Sequence, residues 1–169
     1  MTTASTTSAT EQDERQVARI KKEMAKRSFA VLATHSEAGY SHAAGVMYVE
    51  VDGVLYIHTR RTTRKARNVA TNGHVGVSIP TRKIPGNPPY SIQFQGQAEL
   101  VAMNDPRVTG HIEAGRLKKI TSHGELDEPD GVFVVVTPDR RIHSYGIGVP
   151  MRDIIRDPVR NGPRSVLVG

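Results

Sequence analysis

The sequence predicts a mainly β (α+β) fold, in which an antiparallel sheet curls into a closed or half-closed barrel with flanking helices. Two observations predict this class. Most of the chain consists of short runs rich in Val, Ile, Leu and Tyr separated by turn residues, and few segments show the apolar spacing of a helix. The 169 residues are 37% apolar, which is typical of a single domain with one core.

The N-terminal part divides into two regions. Residues 1–10 are almost entirely Ser, Thr and Ala, a composition that buries nothing, so we expect them to be disordered. Over 11–26, apolar residues recur at spacings of three and four among charged ones, which predicts an amphipathic surface helix. A single domain is therefore expected over 11–169.

Three antiparallel strands are predicted next, followed by a basic helix. The strands are Ser28–Thr34, His42–Val51 and Val54–Thr59. Turn signals at 37–39 and at Asp52-Gly53 separate them. The helix is expected from Thr62 to about Thr71, ended by Asn72-Gly73 as a left-handed C-cap.

The second half continues the sheet. A strand at His74–Ile79 leads into a proline-rich loop over 81–90, and another strand is expected at Ser91–Val101. A helix is predicted from Asn104 to about Lys119. Val132–Val136 and Arg141–Tyr145 are predicted to pair as a hairpin across Pro138-Asp139.

Composition narrows the function. The absence of Cys excludes disulfides, thiolate metal sites and cysteine nucleophiles. No apolar run approaches the roughly 20 residues of a membrane helix, and no secretory signal is evident, so a cytoplasmic protein without membrane contact is expected. The seven histidines lack metal-ligand spacing, so no metal site is predicted.

The charge points to an anionic partner. The formal net charge is +6 and the pI is about 9.8, which favours a phosphorylated or polycarboxylate small molecule, a nucleic acid or an acidic membrane surface. Trp is absent and aromatic residues make up 5% of the chain, so platforms for base stacking are scarce. Nucleic-acid binding is therefore the weaker alternative.

The most informative stretch runs from Leu55 to Asn68, where a strand leads into a basic helix start. Helix N-terminal amides favour a phosphate, threonine hydroxyls can donate to its oxygens, and Arg64 or Lys65 can supply charge. The alternative is that these cations form a solvated basic face.

This stretch resembles the pyridoxamine-phosphate-oxidase-like, flavin-binding split-barrel superfamily. The resemblance extends from about Phe29 to Leu100 and includes the Asp52-Gly53 turn, the Thr-Arg-Lys-Ala helix start and the segment Gln95-Gly96-Gln97-Ala98-Glu99. It implies a six-stranded antiparallel split β-barrel with flanking helices, whose homodimer interface closes a cofactor site. The residues it implies for cofactor binding are Val46, Met47, Tyr48, His58, Thr59, Thr63, Arg64 and Lys65.

Within that set the roles differ. Thr59, Thr63, Arg64 and Lys65 would hold the cofactor phosphate, with His58 beside them. The residues 46–48 would contact the ring system largely through backbone groups, and a plain core role is the alternative for each of them. No catalytic side chain is predicted, because the cofactor would supply the chemistry.

The resemblance implies either FMN or coenzyme F-420 as the cofactor, with nearly equal weight. The helix start resembles FMN enzymes, and the basic charge suits the anionic tail of F-420. Ala43 or Ala44 and Ser91 stand where pyridoxamine phosphate oxidases carry a basic residue and a glutamine, so that particular reaction is not expected.

The expected function is hydride transfer between the cofactor and a small-molecule substrate. Tyr145, His58 or the proline-rich loop would shape the substrate pocket. Two alternatives stay open: a carrier or sensor that binds the cofactor or heme without turnover, and a nucleic-acid-binding protein that uses phosphate contacts alone.

Overall fold

The computed structural model describes the backbone of residues 3–82 and 90–168, and the side chains of 11–81 and 90–168. Most of the predicted proline-rich loop lies outside these residues. Within the described part, the helices are α1 (Thr3–Lys26), α2 (Arg64–Thr71), α3 (Pro106–Glu113), α4 (Met151–Arg156) and α5 (Pro158–Asn161). The strands there are β1 (Phe29–His35), β2 (Ser41–Met47), β3 (Val49–Val51), β4 (Val54–Arg60), β5 (His74–Arg82), β6 (Tyr90–Ala102), β7 (Gly131–Tyr145) and β8 (Pro163–Leu167).

The strands form one antiparallel sheet in the order β2-β1-β5-β6-β7-β4-β3, with β8 added along β7. The first and last strands of this path, β2 and β3, are consecutive in the chain and are separated only by Tyr48. The sheet must therefore curl until its two ends approach each other, which makes a half-barrel. The predicted mainly β, split-barrel class is confirmed.

The number of strands differs from the six expected. The predicted strand 42–51 is broken at Tyr48, which creates β3, and the C-terminal segment adds β8. At the break, the Tyr48 amide donates to the Ser28 carbonyl oxygen (2.8 Å), and the side chain is fully buried. The buried Tyr48 side chain thus marks the point where β2 ends and β3 begins.

β7 corrects the prediction of a hairpin across Pro138-Asp139. It runs unbroken for 15 residues, and β6 pairs with both of its halves through a register shift between Phe94 and Gly96. Gly96 lies opposite Pro138, and a Cβ at Gly96 would collide with the Thr137 carbonyl oxygen. A proline is tolerated here because the ladder is already irregular.

The main core fills the curl of the sheet. Leu32, Leu55, Ile57 and Ile92 are fully or almost fully buried in it. α1 covers one end of the half-barrel through Ile20 and Met24, and α2 contributes Val69. A second cluster on the outer face of β4 and β7 packs beneath α3 and the short 3-10 turns Lys118–Ile120 and Glu125–Asp127.

Two helix ends differ from expectation. α1 begins at Thr3, whereas the sequence predicts disorder over 1–10; no glycine or proline interrupts the helix between Thr3 and Lys26. α2 ends at Thr71, and the next residue, Asn72, is extended (φ −145°, ψ 107°), so the predicted left-handed C-cap is wrong. Glycine is needed at position 73 for another reason: the backbone there passes close to β6, and a Cβ would lie 2.7 Å from the Ala98 carbonyl oxygen.

No helix of the described residues is both long and apolar enough to span a bilayer.

Candidate functional site

The alternation of β4 places its side chains on two sides of the sheet. Leu55, Ile57 and Thr59 point toward the core, and Thr59 is only 7% exposed. His58 points to the opposite face, where its ring meets that of Phe133 edge-on with 5.6 Å between ring centroids. One strand therefore supplies side chains to two neighbouring environments.

The first environment is the junction between β4 and α2. Thr63 is the N-cap of α2, and its Oγ1 accepts from the Ala66 amide (3.4 Å) and donates to the Arg60 carbonyl oxygen (2.8 Å). Thr59 Oγ1 lies 3.2 Å from Thr63 Oγ1. Since the Thr63 proton is already engaged, Thr59 is the donor of this hydrogen bond.

Two cations begin α2 directly after the cap. Arg64 is exposed and Lys65 is half-buried. Burial lowers the pKa of the Lys65 ammonium below its ordinary value, because the charged form loses hydration. Among the described residues neither side chain forms a salt bridge, whereas the neighbouring Arg60 binds Glu128 at 2.6 Å. We call Thr59, Thr63, Arg64 and Lys65 the threonine–cation cluster.

The cluster has the components of an anion site. The Arg64 and Lys65 amides, in the first turn of α2, have no intrahelical acceptor, and the helix dipole places partial positive charge at the same point. Arg64 and Lys65, which form no salt bridge within the described part of the chain, follow the cap directly, and Lys65 is partly desolvated. An anion with several oxygens, such as a phosphate, could satisfy the amides and the cations together.

The second environment is a small pocket on the outer face, which we call the His58 pocket. Its volume is about 240 Å³, and it is lined by Met47, His58, Lys119, Ile120, His123 and Glu125. His58 Nε2 is buried and has no hydrogen-bond partner among the described residues. Burial lowers the pKa of His58, against the raising effect of Glu125 and Glu128. The imidazole is therefore kept neutral, and its Nε2 lies against Gly131, where an added Cβ would be 3.1 Å away.

The residues 46–48 contribute mainly to the core. Val46 is 6% exposed, and Tyr48 is fully buried with its hydroxyl donating to the Met24 carbonyl oxygen at 2.8 Å. Met47 points outward, is 51% exposed and lines the His58 pocket. A ligand on this side could reach Val46 and Tyr48 only through backbone groups at the outer edge of β2, the terminal strand of the sheet path.

Tyr145 lies away from both environments. It ends β7 opposite Ser91 and packs against Tyr90, with 6.5 Å between ring centroids. Its hydroxyl is buried and has no hydrogen-bond partner among the described residues. Within one copy of the chain, the structure does not bring Tyr145 together with the threonine–cation cluster.

Three polar residues of the His58 pocket were not predicted as site residues. Lys119, His123 and Glu125 come from the segment after α3, where the sequence shows no motif. Only the fold brings this segment against β4. No group of three His, Asp or Glu side chains that could hold a metal ion occurs among the described residues.

The chain matches a known protein family. The family described as pyridoxamine 5'-phosphate oxidase matches residues 17–143. No curated protein sequence matches the chain. Among solved structures, the chain is similar to the heme storage protein HutZ from Vibrio cholerae, with 16% identity, a TM-score of 0.62, and coverage of 74% of this chain and 91% of that chain.

The names of two further similar structures refer to other cofactors. A FAD-binding protein from Mesorhizobium loti is 20% identical, with a TM-score of 0.55 and coverage of 73% of this chain and 88% of that chain. An F420 reductase is 22% identical, with a TM-score of 0.50 and coverage of 70% and 91%. At these identities the similarity shows a shared fold. The family match over residues 17–143, more than half of the chain, confirms the resemblance seen in the sequence: this chain belongs to the pyridoxamine 5'-phosphate oxidase family.

Proposed function

We propose that the chain binds a phosphate-bearing flavin or the deazaflavin F-420 and uses it to transfer a hydride to or from a small molecule. The observation that carries the proposal is the threonine–cation cluster. Its first-turn amides and the cationic side chains of Arg64 and Lys65 fit a phosphomonoester or phosphodiester better than a neutral ligand. When bound, the cofactor supplies the hydride chemistry.

The chain itself would bind and orient the cofactor. Arg64 and Lys65 would hold the phosphate, with the Thr59–Thr63 pair fixing the helix start. From there the ring system would lie along the outer edge of β2 toward Met47 and the His58 pocket. The neutral His58 imidazole, which lines this pocket, would contact the ring system or the substrate there.

We further propose that a second copy of the chain completes the site. Phe29 and Met47 are register partners in β1 and β2, so their side chains share a face, and they are 46% and 51% exposed. Apolar residues this exposed beside a ligand pocket favour burial by a partner. Tyr145 would contribute to the substrate pocket from that second copy. Light scattering tests this, with a dimer expected for the wild type and a monomer for Met47→Glu.

A titration with FMN and with F-420 tests the cofactor assignment. The double variant Arg64→Ala/Lys65→Ala should lose about 1.5–3 kcal/mol of binding free energy for each charge-assisted contact removed. The control Arg15→Ala/Lys21→Ala removes two exposed charges of α1 and should bind like the wild type. Equal affinity of the cluster variant and the wild type would retire the assignment. The tighter ligand decides between FMN and F-420.

A second candidate function is heme binding without turnover. The observation that favours it is the neutral His58 imidazole that lines the pocket, since a neutral imidazole is a good iron ligand. Titration with hemin, followed by the visible spectrum, tests it. His58→Gln should abolish a histidine-ligated spectrum, whereas the exposed His143→Gln should not. If neither FMN, F-420 nor hemin binds and the protein is retained on DNA in a salt-sensitive way, nucleic-acid binding replaces both proposals.

A further inference from the structure

A cleft of about 560 Å³ lies between α1 and the turn that follows β7. One wall is formed by charged residues of α1 and the segment after it, and the other by residues 146–149. Thr81 of β5 and Tyr90 of β6 line the part of the cleft next to these strands. We call this feature the basic cleft.

The charge of the basic cleft is strongly unbalanced. Its lining carries one carboxylate, that of Glu23, and four cationic side chains. The cations are Arg19, Lys22, Lys26 and Arg27. Glu23 is engaged by Arg27 at 2.7 Å and by Lys26 at 3.6 Å. Arg19 and Lys22 have no salt-bridge partner among the described residues. They are one helical turn apart, so their side chains project from the same face of α1.

The opposite wall offers backbone donors. Gly146 and Gly148 have φ values of +76° and +73°, which turn the backbone sharply on either side of Ile147. The Ile147 and Gly148 amides donate to no acceptor among the described residues, whereas those at 146 and 149 are satisfied. Adjacent amides at alternating backbone conformations form a concave anion-binding arrangement.

The two walls are in contact near the turn, where Gln16 Nε2 of α1 also donates to the Ile147 carbonyl oxygen at 2.9 Å. A Cβ added to Gly148 would lie 2.5 Å from Arg19 Nη1, so the guanidinium rests directly against the turn. The Nε of Arg27, in the α1 wall, is buried and has no hydrogen-bond partner among the described residues. The cations and the amides thus lie around one space.

The end of the cleft next to β5 and β6 is mainly apolar and includes an aromatic ring. Tyr90 packs flat against Gly146, where a Cβ would meet the ring at 2.5 Å, and its hydroxyl lies 3.8 Å from Met151 Sδ. Val149 completes this end and is 8% exposed. A ring and a thioether of this kind suit a planar apolar group.

We propose that the basic cleft is a binding site for a compact anion attached to a planar apolar group, such as an aryl phosphate. The phosphate would lie between Arg19, Lys22 and the amides of the 146–149 turn, and the ring would lie against Tyr90. Guanidinium and backbone donors together recognise phosphate oxygens, and apolar contacts at the Tyr90 end of the cleft would stabilise the attached ring.

This site is separate from the threonine–cation cluster. Thr81 and Tyr90 lie at one end of the β5–β6 pair, and α2 joins β5 at the other end. The eight steps from His74 to Arg82 span about 26 Å at the rise of a β-strand. A ligand in the basic cleft therefore would not occupy the proposed cofactor site.

Phenyl phosphate is the probe, and binding is followed by amide chemical shifts of the full chain. We expect the Ile147 and Gly148 amides to shift, and phenyl phosphate to bind more tightly than inorganic phosphate or phenol. Arg19→Gln/Lys22→Gln should weaken this binding by at least about tenfold. The control Arg15→Gln/Lys21→Gln removes the same charge from α1 outside the cleft and should leave binding unchanged.

Each other outcome overturns the inference. Equal weakening in both double variants would mean that only the net charge of α1 matters. Shifts confined to residues 63–66, lost in Arg64→Ala/Lys65→Ala, would place the probe at the threonine–cation cluster instead. Because the variants for the two sites do not overlap, failure of the basic cleft leaves the proposed cofactor function standing, and the reverse also holds.

Discussion

Thr59 Oγ1 donates a hydrogen bond to Thr63 Oγ1 across 3.2 Å, which ties the last core-facing side chain of β4 to the N-cap of α2. The same Thr63 hydroxyl donates to the Arg60 carbonyl oxygen and accepts from the Ala66 amide. One hydroxyl therefore fixes the position from which Arg64 and Lys65 project.

The first prediction concerns this hydroxyl. Thr63→Ala should destabilise the fold by about 1 kcal/mol, because the N-cap hydrogen bond is lost and the Thr59 hydroxyl loses its acceptor. Thr63→Ser keeps the hydroxyl and should stay within a few tenths of a kcal/mol of the wild type. Urea unfolding measures both free energies. A serine variant as unstable as the alanine variant would show that the Thr63 methyl group, and not the cap, stabilises this junction.

The second prediction concerns Lys65 and alkaline pH. Its pKa lies below the ordinary 10.5 because of burial, so the ammonium loses its proton at a lower pH than an exposed lysine would. A bound phosphate stabilises the charged form, so cofactor affinity is full below this pKa and falls as the pH rises through it. Lys65→Arg stays charged and should keep its affinity over the same range. Dissociation constants measured from pH 8 upward test this, and coincident profiles would contradict it.

The third prediction concerns His58 and acid pH. Burial lowers its pKa in the folded state, whereas the unfolded chain takes up this proton near pH 6.5. The unfolded state thus binds more protons between these two values, and stability falls as the pH drops through 6.5 toward the folded pKa. His58→Gln removes this contribution and should flatten the decline. The matched variant is His143→Gln, and an equal change in both stability profiles would speak against His58 as the source.

The fourth prediction compares two glycines. A Cβ at Gly96 would collide with the Thr137 carbonyl oxygen, so Gly96→Ala should destabilise the β6–β7 pair by about 1–3 kcal/mol or more. Gly110 lies within α3 with no atom within 4 Å of its added Cβ, so Gly110→Ala should stabilise the protein by roughly 0.5–1 kcal/mol. The midpoint of thermal unfolding should fall for Gly96→Ala and rise for Gly110→Ala. Similar shifts would mean that β6 and β7 separate readily at this point.

Local patterns were sufficient for much of the fold. β4 and β6 lie where alternation and turn residues predicted them, and Asp52-Gly53 forms the expected turn with positive φ at both residues. The predicted hairpin across Pro138-Asp139 is wrong, because these residues are typical of turns but lie here inside the continuous strand β7. Pro138 fits inside β7 because it lies opposite Gly96 of β6, at the bulge where the register of the two strands shifts. Gly96 is distant in the sequence, so the local pattern around Pro138 does not reveal this pairing.

The candidate site divides in the same way. The cap at Thr63 and the cations after it are contiguous in the chain, so the sequence was sufficient to predict their position at a helix start. The His58 pocket was not predictable, because Lys119 and His123 reach β4 only after α3 ends at Glu113. That helix is shorter than predicted because Gly115 adopts a φ of +69°.

Tyr48 combines three roles that are usually distributed over several residues. It joins β2 to β3, fills the core, and donates its hydroxyl proton to the Met24 carbonyl oxygen near the end of α1. Local fraying of either terminal strand would strain the packing and the helix contact at the same time. β2, β3 and the end of α1 should therefore unfold locally as one cooperative unit. In an open sheet an edge strand can unfold locally by itself, and we expect that this half-barrel does not allow it.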